Sequence, residues 1–240
     1  MDIAFELKRI VCRFPKLYSA LQYFVEGRPY AVVSDQTLMC LEGYPRSGNT
    51  FALNLIRGVL LKHYPVFFAT HAERLVSHHS HRIASVDAAL RRGLPTFALI
   101  RAPGDAISSR VVRQVAIGGI DQVVAIRRGL TEYLDFYRYV RERTRVDIVA
   151  FDKLVTDSQP FIRRVLRALE LDVSGQLELD GIEGFARELT EFWGREQMQE
   201  TALTQNFSNE RKENRKADVR EAIEENRRKQ FEVAQHLYEE

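Results

Sequence analysis

Apolar positions recur along this 240-residue chain in two alternating rhythms. Short apolar-rich runs predict buried strands over residues 37–43, 66–70, 96–100 and 146–151, and the more polar stretch 75–81 reads as a further strand. Between them, helical spacing predicts helices over residues 49–63, 85–92, 105–115, 121–143 and 160–169. The first carries Phe51, Leu53, Leu55, Ile56, Val59 and Leu60, and the fourth sets Val124, Leu130, Leu134, Tyr137 and Val140 near one face. Gly93 and Pro95 close the second, while Ser158 or Gln159 caps the fifth, with Pro160 in its first turn. The charged stretch 210–240 is helical in pattern, and 105–115 carries Asp105 as its N-cap. Residues 2–26 carry Phe5, Ile10, Phe14, Leu17, Leu21, Phe24 and Val25, interrupted by Pro15. They predict one or two amphipathic helices, docked on the domain or touching a membrane surface.

Strands alternating with helices imply an α/β fold of three layers, a central and mostly parallel sheet with helices on both faces. The length suits a single domain over 1–240: an N-terminal helical extension over 1–35, a core over 37–215 and a C-terminal helix over 216–240. Ligands of such sheets sit at the carboxyl ends of the strands, so the strand-to-helix loops carry the chemistry.

Composition narrows the classes. With 45% hydrophobic and 28% charged residues the chain is neither disordered nor fibrous. A net charge of +2 argues against a nucleic-acid-wrapping role, although 28 of the 35 basic residues are Arg, the side chain suited to phosphate. Cys12 and Cys40 are too few for a disulfide framework or a Cys-ligated zinc site, so a reducing, cytoplasmic setting is expected. No run is long and apolar enough for a membrane span, and Met1 to Phe14 has no signal-peptide core.

The first strand ends in Gly43-Tyr-Pro-Arg-Ser-Gly-Asn-Thr50, directly before a helix. Two glycines between strand and helix make a phosphate cradle, with backbone N–H groups and the helix dipole facing the anion. The spacing is that of a phosphate-binding GxxxxG loop, but Asn49 stands where a nucleotide triphosphatase has Lys, and the basic residue is Arg46. Tyr44 to Phe51 resembles the 5′-phosphosulfate loop of the sulfotransferases that use 3′-phosphoadenosine 5′-phosphosulfate (PAPS), approximately Tyr-Pro-Lys-Ser-Gly-Thr-Thr-Trp. Arg46 keeps the charge, Asn49 the hydrogen-bonding ability and Phe51 a flat face. After the strand at 96–100, Arg101, Pro103, Asp105 and Ser109 fall at the places of the same family's 3′-phosphate motif. Phe151-Asp-Lys-Leu154 resembles its Tyr-Glu-Asp-Leu element, and Asn209-Glu-Arg-Lys212 stands where the family supplies a basic segment. The likeness spans roughly residues 38–215 and lies in short motifs.

The resemblance implies the P-loop-like sulfotransferase fold and transfer of a sulfuryl group from PAPS to a hydroxyl or amine of a small-molecule or carbohydrate acceptor. It assigns Ser47, Gly48, Asn49 and Thr50 to the 5′-phosphosulfate, Arg101 and Ser109, with Arg211, to the 3′-phosphate, and Phe51 to the adenine. Arg46 is expected to offset charge on the leaving nucleotide, and no metal is called for. Such transfer needs a base, and histidine is the ordinary choice. In the run Ser77-His-His-Ser-His81 an extended chain would put His79 and His81 on one face. The family's base lies at the end of the strand before the Arg101 strand, so His81 is expected first, His79 next and His71 third. A P-loop kinase or a noncatalytic nucleotide-binding protein stands as the alternative.

Overall fold

The computed structural model describes residues 29–172, 175–204 and 209–240, with Ile10 and Phe14. The helices expected over 2–26 otherwise lie outside the described residues. The strands are β1 (Met39–Gly43), β2 (Val76–His78), β3 (Thr96–Ile100) and β4 (Val146–Ala150). All neighbours pair in parallel, in the order β2-β1-β3-β4. Nine helices surround them among the described residues: α1 (Asn49–His63), α2 (Pro65–Leu75), α3 (Ile83–Arg91), α4 (Pro103–Gly118), α5 (Gln122–Arg141), α6 (Phe151–Thr156), α7 (Gln159–Ala168), α8 (Gln176–Thr204) and α9 (Asn209–Glu239).

Every residue of β1 and β3 is buried, as expected of strands covered on both faces. The period-two alternation of side chains then creates two cores. Met39, Leu41, Phe97, Leu99 and Val149 face a layer made by α1, α7 and α8. Ala98, Ile100 and Val146 face a layer of α4 and α5, to which α9 adds Val219, Ile223 and Ala234. The architecture is therefore the expected three-layer α/β sandwich. Among the described residues no helix is long and apolar enough to cross a membrane.

Sheet order positions the site. β1 lies between β2 and β3, so successive connections leave it in opposite directions and open a crevice at the carboxyl ends of β1 and β3. Gly43 pairs in register with Leu99 at the edge of that crevice, which brings the loops after the two strands together.

Four expectations need correction. Residues 66–70 are not a strand but belong to α2. Pro65, with its fixed φ, starts a helix, and Phe68, Ala72 and Leu75 then share one helical face. The strand expected over 75–81 stops at His78, because His79 and His81 take φ of 56° and 55°. Asp105 is not an N-cap, since Ala102 holds that place. Asp105 sits in the first turn of α4 and pairs with Arg220 at 2.7 Å. Ser158 stands at the N-cap of α7 without a capping bond, its hydroxyl donating to Glu183 instead. Helix α8 was not signalled by the pattern. Gly181 and Gly184 weaken its apolar pattern, and among its described side chains the buried stripe is Leu179, Ile182 and Ala186, Ile182 against Gly58 of α1.

Candidate functional site

The loop from Tyr44 to Gly48 turns tightly between β1 and α1, and two glycines are demanded by contact. A Cβ on Gly43 would lie 2.7 Å from Asn49 Oδ1 and 2.8 Å from the Leu99 carbonyl. Gly48 has φ of 84°, and a Cβ there would strike the Phe151 ring. Gly48 is also the N-cap of α1 and makes no side-chain cap bond. The first-turn N–H groups of α1 thus point outward with the positive end of the helix dipole behind them.

Tyr137 of α5 ties this loop to β3. Its hydroxyl donates to the Leu99 carbonyl at 2.5 Å and accepts the Tyr44 N–H at 3.1 Å. With its proton committed, it accepts from the Ser47 hydroxyl 3.3 Å away. Ser47 is fully buried in that contact and turned from the cleft. Asn49 donates its amide across the loop to the Tyr44 carbonyl. These two residues close the loop from within.

Arginines gather at the crevice. Arg46, at φ 74°, donates Nε–H to Ser109 Oγ at 3.1 Å. Arg101 leaves the end of β3 and donates to the Arg46 carbonyl at 3.1 Å, its guanidinium 4.5 Å over the Phe151 ring. The Tyr133 hydroxyl donates to the Arg101 carbonyl, fixing the backbone there. Arg101 Nε is buried without a hydrogen-bond partner. Burial, then Arg113 and Arg101, hold the pKa of Arg46 below the ordinary guanidinium value. Like charges pressed together over a dipole's positive end make a site that an anion relieves.

The histidines come from the turn after β2. His81 Nδ1 lies 2.6 Å from the Gly43 carbonyl. A carbonyl only accepts, so Nδ1 carries the proton and Nε2 keeps its lone pair. His79 Nε2 lies 3.4 Å from Thr50 Oγ1, and its Nδ1 meets His78 Nδ1 at 2.6 Å. Burial, reinforced by neighbouring cationic or imidazole groups, lowers the pKa of His81 to about 3 and of His79 to about 4. Beneath them lies Glu42, fully buried in β1. It accepts from the Ser80 N–H, the Ser80 hydroxyl and the His81 N–H. Burial outweighs these donors and raises its carboxyl to about 8.

One cleft of about 550 Å³ joins these parts. Of the residues expected from sequence, Arg46, Gly48, Asn49, Thr50, Phe51, His79, His81 and Arg101 line it. Ser47 and Ser109 do not line it but hold the loop and Arg46. His71 is on α2, bonded to Thr70, outside the lining. Arg211 lies at the start of α9, where its side chain is outside the described residues. Among the described residues no three His, Cys, Asp or Glu side chains are grouped to hold a metal ion.

Sequence reasoning missed Arg113, Arg187, Thr190 and Glu191 on the cleft wall. Arg113 follows Ser109 by four residues on α4, a spacing that places it on the same helix face. The other three belong to the unassigned α8. Arg187 pairs with Glu183 and covers the Phe51 ring at 5.5 Å. Glu42 carried its own signal, a carboxylate inside an apolar strand. No protein-family model matches this chain, and no curated protein matches it.

Proposed function

We propose that this chain transfers a sulfuryl group from PAPS to a hydroxyl or amine of a small-molecule or carbohydrate acceptor. The observation that supports it best is a single cleft holding a glycine cradle, the arginines of two adjacent strand ends and an imidazole with a free Nε2. The residues fit a compact polyanion: Arg101 Nε is buried and unpartnered, and Arg46 is crowded by cations. When bound, PAPS supplies the sulfuryl group and leaves as 3′,5′-phosphoadenosine phosphate.

In this reading His81 Nε2 takes the acceptor's proton as the new O–S or N–S bond forms. Burial keeps His81 neutral throughout the physiological range, so Nε2 enters the reaction unprotonated. Arg46 and the first-turn N–H groups of α1 stabilise charge on the leaving phosphate. Arg101 takes the 3′-phosphate, with Ser109 steering Arg46 beside it. The Phe51 and Phe151 rings, lying under Arg187 and Arg101 on the cleft wall, flank the base. Cys12 and Cys40 suit a reducing, cytoplasmic setting.

The test is comparative titration calorimetry of the purified protein. 3′,5′-Phosphoadenosine phosphate should bind at least about tenfold more tightly than ADP with Mg²⁺, because only the former carries the 3′-phosphate for Arg101. Tighter binding of ADP with Mg²⁺ would replace this reading with a phosphotransferase one.

A further inference from the structure

We infer that Glu42 is a positioning residue, which locks His81 in a left-handed backbone and thereby holds its ring in the tautomer that leaves Nε2 unprotonated. Two consecutive residues at the end of β1 hold His81. Gly43 takes the ring: its carbonyl accepts His81 Nδ1–H at 2.6 Å. Glu42 takes the backbone: its Oε2 accepts the His81 N–H at 2.8 Å. Its Oε1 accepts the Ser80 N–H at 3.2 Å and the Ser80 hydroxyl at 2.5 Å.

The clamp opposes a real cost. His79 and His81 are both at positive φ, a conformation disfavoured for any residue with a Cβ. Such a turn persists only where its surroundings over-determine it. Three hydrogen bonds to one buried side chain do that here. Glu42 is fully inaccessible to solvent and does not line the cleft, so it acts through Ser80 and His81. Its position on a central strand makes it a rigid reference for the turn. The Ser80 and His81 amides cannot both be satisfied once the carboxyl is gone. In Glu42→Gln, whichever way the amide is turned, its own NH₂ faces one of these two main-chain N–H groups.

The structural part stands alone, whereas its catalytic consequence rests on the proposed role of His81. The experiment therefore reads both. In ¹⁵N-imidazole spectra the wild-type protein should show His81 as a single Nδ1–H tautomer, and Glu42→Gln should show a mixture, with the His81 or Ser80 amide exchanging with solvent at least about tenfold faster. In the transfer assay Glu42→Gln should lower kcat by about tenfold or more, with affinity for 3′,5′-phosphoadenosine phosphate within about twofold of wild type. Ser80→Ala is the milder variant and should lower kcat by a few-fold with nucleotide affinity unchanged. It gives the answer should Glu42→Gln not fold. An unchanged tautomer and amide exchange in the folded variant overturn the inference. So does a parallel loss of kcat, affinity and melting temperature with the tautomer intact, which would mark Glu42 as structural support only. If the tautomer shifts as expected but the wild type transfers no sulfuryl group, the clamp stands and the proposed function fails.

Discussion

Replacing His81 by alanine removes the only imidazole in the cleft whose Nδ1 is committed to a main-chain carbonyl. The variant should bind 3′,5′-phosphoadenosine phosphate as the wild type does and lose transfer by roughly 10²- to 10⁴-fold, measured by steady-state assay. Normal turnover would move the base to His79, which reaches Thr50 but leans on His78. Because the pKa of His81 is lowered to about 3, the rate should show no acid limb near pH 6.5, the ordinary imidazole value. Tyr137 offers a second single-residue test. Tyr137→Phe strands the Tyr44 N–H and the Leu99 carbonyl in the core, and urea unfolding should report a loss of about 1–3 kcal/mol. The residue types at Arg46, Arg101 and His81 were legible because strand-to-helix loops name themselves by glycine and by position. The orientation of Ser47 was not, since the hydroxyl that captures it sits 90 residues away on α5.

At the level of elements, the tightest constraint is the packing of α6 against the cradle. Gly48→Ala would meet the Phe151 ring at a left-handed position, so it should destabilise the protein by about 1–3 kcal/mol and weaken nucleotide binding together. Calorimetry and thermal melting check the pair. The α9 helix braces the second arginine loop: Arg220 holds Asp105, Phe231 packs at Gly104, and the Tyr238 hydroxyl donates to Asp152, next to Phe151. The pattern of apolar positions marked α1 and β3 to the residue, because each buries a long or continuous apolar face. It misjudged α2, where five apolar or β-branched residues mimic a strand while a proline and one helical stripe decide otherwise. It passed over α8, whose described side chains bury only Leu179, Ile182 and Ala186 and whose Gly181 and Gly184 face open space. The wall contributed by Arg187, Thr190 and Glu191 went with it.

For the whole molecule, buried titratable groups set a stability profile with two opposing limbs. His79 and His81 have folded pKa values of about 4 and 3, below the ordinary 6.5, so the unfolded chain binds more protons as pH falls through that window. Stability should decline on acidification below about 6.5. Glu42 has the opposite sign: its folded value of about 8 exceeds the ordinary 4.5, so the native state holds the extra proton and stability declines as pH rises toward 8. Chemical denaturation across pH 4–9 should therefore peak near pH 6.5, with the alkaline decline weakened in Glu42→Gln and the acid decline weakened in His81→Ala. The net charge of +2 predicts none of this, because the charges that matter are local. Arg46, His79 and His81 all occupy backbone that glycine would adopt freely. A library sorted only for heat tolerance should accumulate glycine at these three positions, and its hardiest members should be those that no longer bind nucleotide or turn over. Engineering this protein for shelf life and for activity would pull the same short turns in opposite directions.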